Sequence, residues 1–223
     1  MKTFTREKLL LEPPPLGCVL YLPGLPGGAS KIYDRSPYGN IGTITGATWV
    51  KLPSGLWPLS FDGIDDKVNC GNSTSLNTEV ITVAAWVYLT AFNPTNGIVI
   101  SKGYYSLVTG WTLYIHANGS ARFVINAYGG KEAVSPILSL NRWYYIAGTY
   151  DRNKIRLFVN GVEGTPYTLT EAMTTNTESV HLGTRSAGSG YYHSGKIALV
   201  KIFNRCLTAL EVLNIYNEEK RFF

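Results

Sequence analysis

An all-β chain, folded as a two-sheet antiparallel jelly-roll sandwich with a short C-terminal helix, is what the sequence predicts. Three observations predict it. The first is the segment 141–161, NRWYYIAGTYDRNKIRLFVNG. Trp143, Tyr145 and Ala147 alternate with Tyr144, Ile146 and Gly148, and Ile155, Leu157 and Val159 alternate with Lys154, Arg156 and Phe158. Asp151-Arg152-Asn153 makes a short polar connection, and Asn160-Gly161 is a tight-turn signal. The second is the recurrence of strand-length runs, about a dozen, with no helical pattern between them. The third is composition. The chain has 15 Tyr and only 16% charged residues among its 223, which suits many half-buried strands.

The elements follow in order. Predicted strands are Val19–Leu22, Gly42–Thr45, Leu59–Asp62, Lys67–Gly71, Val80–Leu89, Ile98–Ser101, Trp111–His116, Ala121–Asn126, Trp143–Tyr150, Lys154–Val159, Ser179–Leu182 and Lys196–Phe203. Asp62-Gly63, Asn118-Gly119, Gly129-Gly130 and Asn160-Gly161 punctuate them. Thr208-Ala209-Leu210-Glu211 is a capping box, and Leu210, Leu213 and Tyr216 are expected on the helix's packed face. Residues 1–16 read as an N-terminal arm, with Leu9, Leu10 and Leu11 ahead of Pro13-Pro14-Pro15, which favours an extended spacer. Residues 17–223 read as one domain, long enough to bury a core without disulfides or metals.

Five motifs in this order resemble those of laminin-G-like domains in the concanavalin A-like lectin and glucanase superfamily. They are Tyr33-Asp34-Arg35-Ser36-Pro37-Tyr38-Gly39-Asn40, Leu59-Ser60-Phe61-Asp62-Gly63-Ile64-Asp65-Asp66-Lys67-Val68, Val83-Ala84-Ala85-Trp86-Val87, the hairpin from Trp143 to Gly161, and the closing run from Gly195 to Arg205. The resemblance implies a concanavalin A-like fold over nearly the whole chain. It implies much less about function, because one fold hosts many activities.

An enzyme is not expected. Hydrolytic members of the superfamily carry paired carboxylates on one strand face, and retaining chemistry needs two about 5 Å apart. No Glu here is followed by Asp two positions later. His116, His181 and His193 read as solvent-facing strand or loop residues, with no nucleophile elbow and no metal-ligand spacing. Cys18, Cys70 and Cys206 form no disulfide framework; a Cys18–Cys206 pairing stays open and is not preferred.

Asp62, Asp65 and Asp66 are the candidate metal ligands, and the resemblance implies calcium at Asp62. Turn chemistry explains the same residues, and the family's acidic pair on the closing strand is here Ala198-Leu199. Calcium is therefore not favoured, and no cofactor is expected. Glycan contacts need flat aromatics in exposed loops beside hydroxyl or amide partners. The candidates are Tyr104, Tyr105, Tyr128 and Tyr191.

The net charge of +5 is scattered, which excludes a nucleic-acid patch of known type. No run is long enough to insert in a membrane. On the closing strand, Ile197, Leu199 and Phe203 are expected on one face and Ala198, Val200 and Ile202 on the other. Two apolar faces need two covers: the terminal helix is expected to cover part of the second through Leu210, Leu213 and Tyr216, and the remaining candidates are the Leu9–Leu11 arm and a neighbouring subunit. Leu199 and the Leu9–Leu11 arm are thus candidate assembly contacts, with a homo-oligomer, a lattice or other assembly subunits as partners. The sequence reading is a non-catalytic decoration subunit of a virion or cell-surface layer, with surface polysaccharide as a further partner. The alternative is a stand-alone carbohydrate-binding adhesion module at the cell surface or outside the cell.

Overall fold

The computed structural model describes residues 13–26, 28, 30–103, 109–126, 130–186 and 188–223. The first half runs β1 (Cys18–Leu22), β2 (Lys31–Ile32), β3 (Gly42–Thr45), β4 (Thr48–Trp49), β5 (Leu59–Asp62), β6 (Lys67–Asn69), β7 (Ile81–Leu89) and β8 (Gly97–Lys102). The second runs β9 (Trp111–Ile115), β10 (Ser120–Ile125), β11 (Glu132–Ile137), β12 (Trp143–Tyr150), β13 (Lys154–Val159), β14 (Val162–Glu163), β15 (Tyr167–Thr168), β16 (His181–Leu182), β17 (Ser194–Phe203) and α1 (Ala209–Glu219). Sheet A has the order β14-β13-β12-β7-β17-β5-β4, with β1 also on β17 and β15 also on β13. Sheet B has the order β11-β10-β9-β8-β16-β6-β3-β2. All pairings between these strands are antiparallel.

Every run predicted as a strand holds one. Those missed are β2, β4, β11, β14 and β15. Four of them have two residues each, too few for alternation to register. The fifth, β11, contains Pro136, which argues against a strand unless it lies at an edge. It does lie at the edge of sheet B.

The main core fills the space between the sheets. Val83, Ala85, Val87, Ile146 and Ile202 of sheet A meet Ile100, Leu113, Phe123, Ile125 and Leu182 of sheet B. The sheets approach closely at Gly148 on β12, where an added Cβ would lie 2.2 Å from the Phe123 ring. Gly148→Ala should therefore cost about 1–3 kcal/mol through overpacking. Urea denaturation measures it, and a change within experimental error would refute the reading.

The Tyr33–Asn40 motif turns out to tie the chain together. Asp34 Oδ1 accepts from the Tyr21 and Ser36 backbone N–H groups at 2.8 and 2.7 Å. Its Oδ2 accepts from Ser36 Oγ at 2.6 Å and the Asn40 N–H at 2.8 Å. Asn40 Nδ2 donates to the Val19 carbonyl at 2.8 Å. One carboxylate thus fastens the loop to β1.

The closing strand corrects two expectations. Leu199 has φ +48, and the pairing of β17 with β7 shifts between Ala198 and Lys201. The extra residue resets the alternation. Ile197, Val200 and Ile202 face the main core, whereas Ala198, Leu199 and Phe203 face outward from the sandwich. That outer face is covered by the chain itself. Leu199 is 0% exposed, packed in a second core with Tyr21, Trp86, Tyr145, Val212 and Phe222. It is therefore no surface contact for assembly. Leu9, Leu10 and Leu11 lie outside the described residues.

The helix corrects a third. Its capping box is present, with Thr208 and Glu211 bonded reciprocally. The packed stripe is Val212, Ile215, Tyr216 and Glu219. Leu210 is 66% exposed. Leu213 rests instead over the Gly161 turn, where a Cβ would meet it at 2.7 Å.

Candidate functional site

Sheet B presents an outer face in which polar and apolar side chains alternate with those of the core. On β9, Trp111, Leu113 and Ile115 point inward, which leaves Thr112 and Tyr114 on the outer face. On β10, Ala121, Phe123 and Ile125 point inward and leave Arg122 and Val124 outside. On β8, a register shift between Ile98 and Ile100 turns Ile98 outward. Ile98, Tyr114 and Val124 form the floor of a shallow depression, and Tyr191 packs against them. Asn96, Gly103, Thr112 and Arg185 complete its lining.

Fixed polar groups border it. Arg122 lies directly opposite Tyr114 across the β9–β10 pair. Glu132 on β11 accepts from both: Arg122 Nη1 reaches Oε1 at 2.5 Å, and the Tyr114 hydroxyl reaches Oε2 at 2.8 Å. Arg122 Nε also donates to Ser120 Oγ at 3.2 Å. The Arg122 and Glu132 side chains keep 20% and 15% of their surface in solvent. Tyr191 sits at φ +56, and its ring carries the Arg185 guanidinium at 5.3 Å. Asn96 Oδ1 accepts from the Ala117 N–H at 2.8 Å. Side chains held in this way recognise a ligand with little further ordering cost.

Of the four tyrosines proposed from sequence, Tyr191 is brought to this face. Tyr104, Tyr105 and Tyr128 lie outside the described residues. The sequence reading missed Tyr114, Arg122 and Glu132. Alternation on β9 and β10 carried a signal for the first two. Glu132 had none, because β11 did not read as a strand.

Asp62, Asp65 and Asp66 do converge, with candidate ligand atoms all within 4.8 Å of one another. Their oxygens already serve the β5–β6 turn. Asp66 Oδ2 accepts from the Asp62 N–H at 2.8 Å, and Asp62 Oδ1 accepts from the Ile64 and Asp65 N–H groups at 2.8 and 3.3 Å. Burial raises the Asp66 pKa, and the neighbouring carboxylates add to the shift. Calcium takes about six to eight oxygens and would compete with those turn bonds. All three thiols are free. The histidines need correction: His181 and His193 are buried, while His116 is partly exposed. His181 lies under the Gly188 loop, and His193 meets Phe61 edge-on at 6.1 Å.

The sandwich and its polar sheet face define a concanavalin A-like domain. The profile of laminin-G-like domains described as the concanavalin A-like lectin/glucanases superfamily matches residues 62–213, and the chain belongs to that family. No curated protein sequence matches the chain. Among solved structures, the binding domain of Paraclostridial Mosquitocidal Protein 1 superposes with a TM-score of 0.71 at 14% identity, over 91% of this chain and 52% of that one. Botulinum neurotoxin type C, which depends on two ganglioside molecules for cell entry, gives 0.67 at 13%, over 91% and 51%. A mutant Trypanosoma rangeli sialidase displaying trans-sialidase activity gives 0.69 at 16%, over 94% and 34%. The chain thus spans about half of the two clostridial chains and a third of the sialidase chain. At these identities the likeness is one of fold.

Proposed function

We propose that the chain is a non-catalytic carbohydrate-binding module that receives a saccharide on the outer face of sheet B. The observation that carries the reading is the Glu132 carboxylate, held between Arg122 and Tyr114, on the same sheet face as the apolar floor that Tyr114 shares with the Tyr191 ring. A sugar presents an apolar face and a rim of hydroxyl pairs. A ring such as Tyr191 suits the first, and a fixed carboxylate and guanidinium suit the second. The family's lectin members and the ganglioside dependence of one clostridial relative support the same class of partner. Glu132 is a single carboxylate already bonded to two donors, whereas glycoside hydrolysis uses a pair. An extracellular or cell-surface setting fits this role. Among the described residues no helix is long and apolar enough to cross a membrane.

The decoration-subunit reading loses one of its supports, since α1 and the C-terminal residues cover the outer face of β17 and leave less of it for a neighbouring subunit. A glycan array followed by calorimetry on the best ligand tests the proposal. Glu132→Gln keeps the shape of the site and removes the charge, and should weaken binding about tenfold or more. An array without a single bound glycan, or unchanged affinity in both Glu132→Gln and Tyr191→Ala, would overturn it.

A further inference from the structure

A second cleft opens on the opposite side of the molecule, where the ends of β7 and β12 meet the C-terminal segment. It is an open cleft of about 390 Å³, within the roughly 300–1,000 Å³ of small-molecule sites. Trp86 is almost fully buried, and half-buried Tyr88, Trp143, Tyr216 and Phe223 complete an aromatic lining. Their packing fixes them. Phe223 stacks on Trp86 with centroids 4.2 Å apart and lies 4.4 Å from Trp143, and Tyr88 lies 5.5 Å from Trp143.

The polar part of the lining is equally defined. Asn141 and Asn160 both sit in the left-handed region, at φ +60 and +52. Their backbone N–H groups are bonded to the Leu89 and Tyr145 carbonyls at 2.7 and 2.8 Å, and Asn160 Oδ1 accepts from the Tyr145 N–H at 3.0 Å, so Asn160 turns its Nδ2 amide donor to a ligand. Arg142 and Lys220 are exposed and come from separate elements; the Lys220 ammonium donates to Asn217 Oδ1 at 2.9 Å and lies 5.3 Å from the Tyr216 ring centre. Lys196 lies 4.2 Å above the Tyr88 ring. Among the described residues, none lining the cleft is acidic. The nearby Glu219 turns away, bonded to Lys201 and to Trp86 Nε1. The cleft is therefore aromatic-walled and cationic.

We infer that this cleft is a separate binding site for a carboxylate-bearing sugar unit of the hexuronate or sialate type. The C–H face of such a ring packs on aromatic walls, its hydroxyls suit the asparagine amides, and its carboxylate suits a guanidinium and an ammonium at the rim. A neutral sugar would offer the two cations no opposite charge. An acidic peptide would satisfy them without using the walls.

Calorimetry on the full chain decides it, with three probes: a glucuronate-containing tetrasaccharide, its neutral glucose counterpart and a glutamate heptapeptide. The acidic tetrasaccharide should bind about tenfold or more tightly than either of the others. Arg142→Gln and Lys220→Gln change exposed side chains and should each weaken it several-fold, as should added salt. Glu132→Gln should leave it unchanged, which separates this cleft from the sheet B face. Equal binding of the neutral sugar or the peptide, insensitivity to both substitutions, or loss through Glu132→Gln would overturn the inference. So would no binding of the acidic probe at millimolar concentration.

Discussion

Replacing Lys201 with methionine is expected to destabilise the fold by about 3–5 kcal/mol, the usual cost of stranding one member of a buried ion pair. Lys201 and Glu219 are 3% and 6% exposed. They pair directly beneath α1, and the Lys201 ammonium also lies 4.6 Å from the Tyr21 ring centre. Burial alone would push the Lys201 pKa down. The Glu219 carboxylate, with Tyr21 adding to it, outweighs burial and holds the pKa above its ordinary value. Lys201 therefore stays charged at neutral pH.

Without Lys201, the Glu219 carboxylate keeps only the Trp86 Nε1–H bond at 2.8 Å. For a domain of this size the loss corresponds to roughly 10 °C in Tm. Glu219→Leu alone should be comparably harmful, because it strands the lysine. The double variant Lys201→Met with Glu219→Leu should recover most of the stability, since an apolar pair needs no desolvation. Thermal and urea denaturation of the three variants tests this. A single variant within about 1 kcal/mol of the parent, or a double variant as unstable as both singles combined, would show that the pair does not hold the helix.

The same pair shows where the sequence stopped being legible. Alternation marks the strands that build the core, and the capping box at Thr208 marks the helix start. Both depend on neighbours a few residues apart. The contact between Lys201 and Glu219 depends on a bulge at Leu199 and on which helical stripe turns inward. The Leu210–Leu213–Tyr216 stripe is the more apolar. The packed stripe contains a glutamate, and that glutamate makes sense only once a buried lysine lies opposite. The sheet B site divides in the same way. Arg122 and Tyr114 sit on strands with readable alternation and Tyr191 in a loop rich in glycine, serine and tyrosine, whereas Glu132 lies on an edge strand containing Pro136. The cationic cleft was invisible for a related reason. Trp143 reads as an ordinary strand aromatic, and only the return of the C-terminal segment brings Lys220 and Phe223 beside it.

Acidification should weaken the fold from about pH 6.5 downward, and His193 is the reason. The ring is 1% exposed, and its Nε2 has no hydrogen-bond partner among the described residues. Burial lowers its pKa to about 4, against a smaller opposing effect from a backbone hydrogen bond at Lys196. In the unfolded chain the imidazole titrates near 6.5. Between these values the unfolded state binds the proton and the folded state does not, so stability falls as pH drops from about 6.5 to 4. The loss is about 2 kcal/mol by pH 5 and about 3 kcal/mol by pH 4. His181, also lowered by burial, acts in the same direction. Asp151 and Glu211, whose pKa values are lowered in the fold, lose their contribution at lower pH than the imidazoles. His193→Gln removes the proton site while keeping a polar side chain. Its urea midpoint should change much less than the parent's between pH 7 and pH 5. Parallel profiles for the two proteins across that range would mean that His193 titrates alike in the folded and unfolded states, and the assignment would fail.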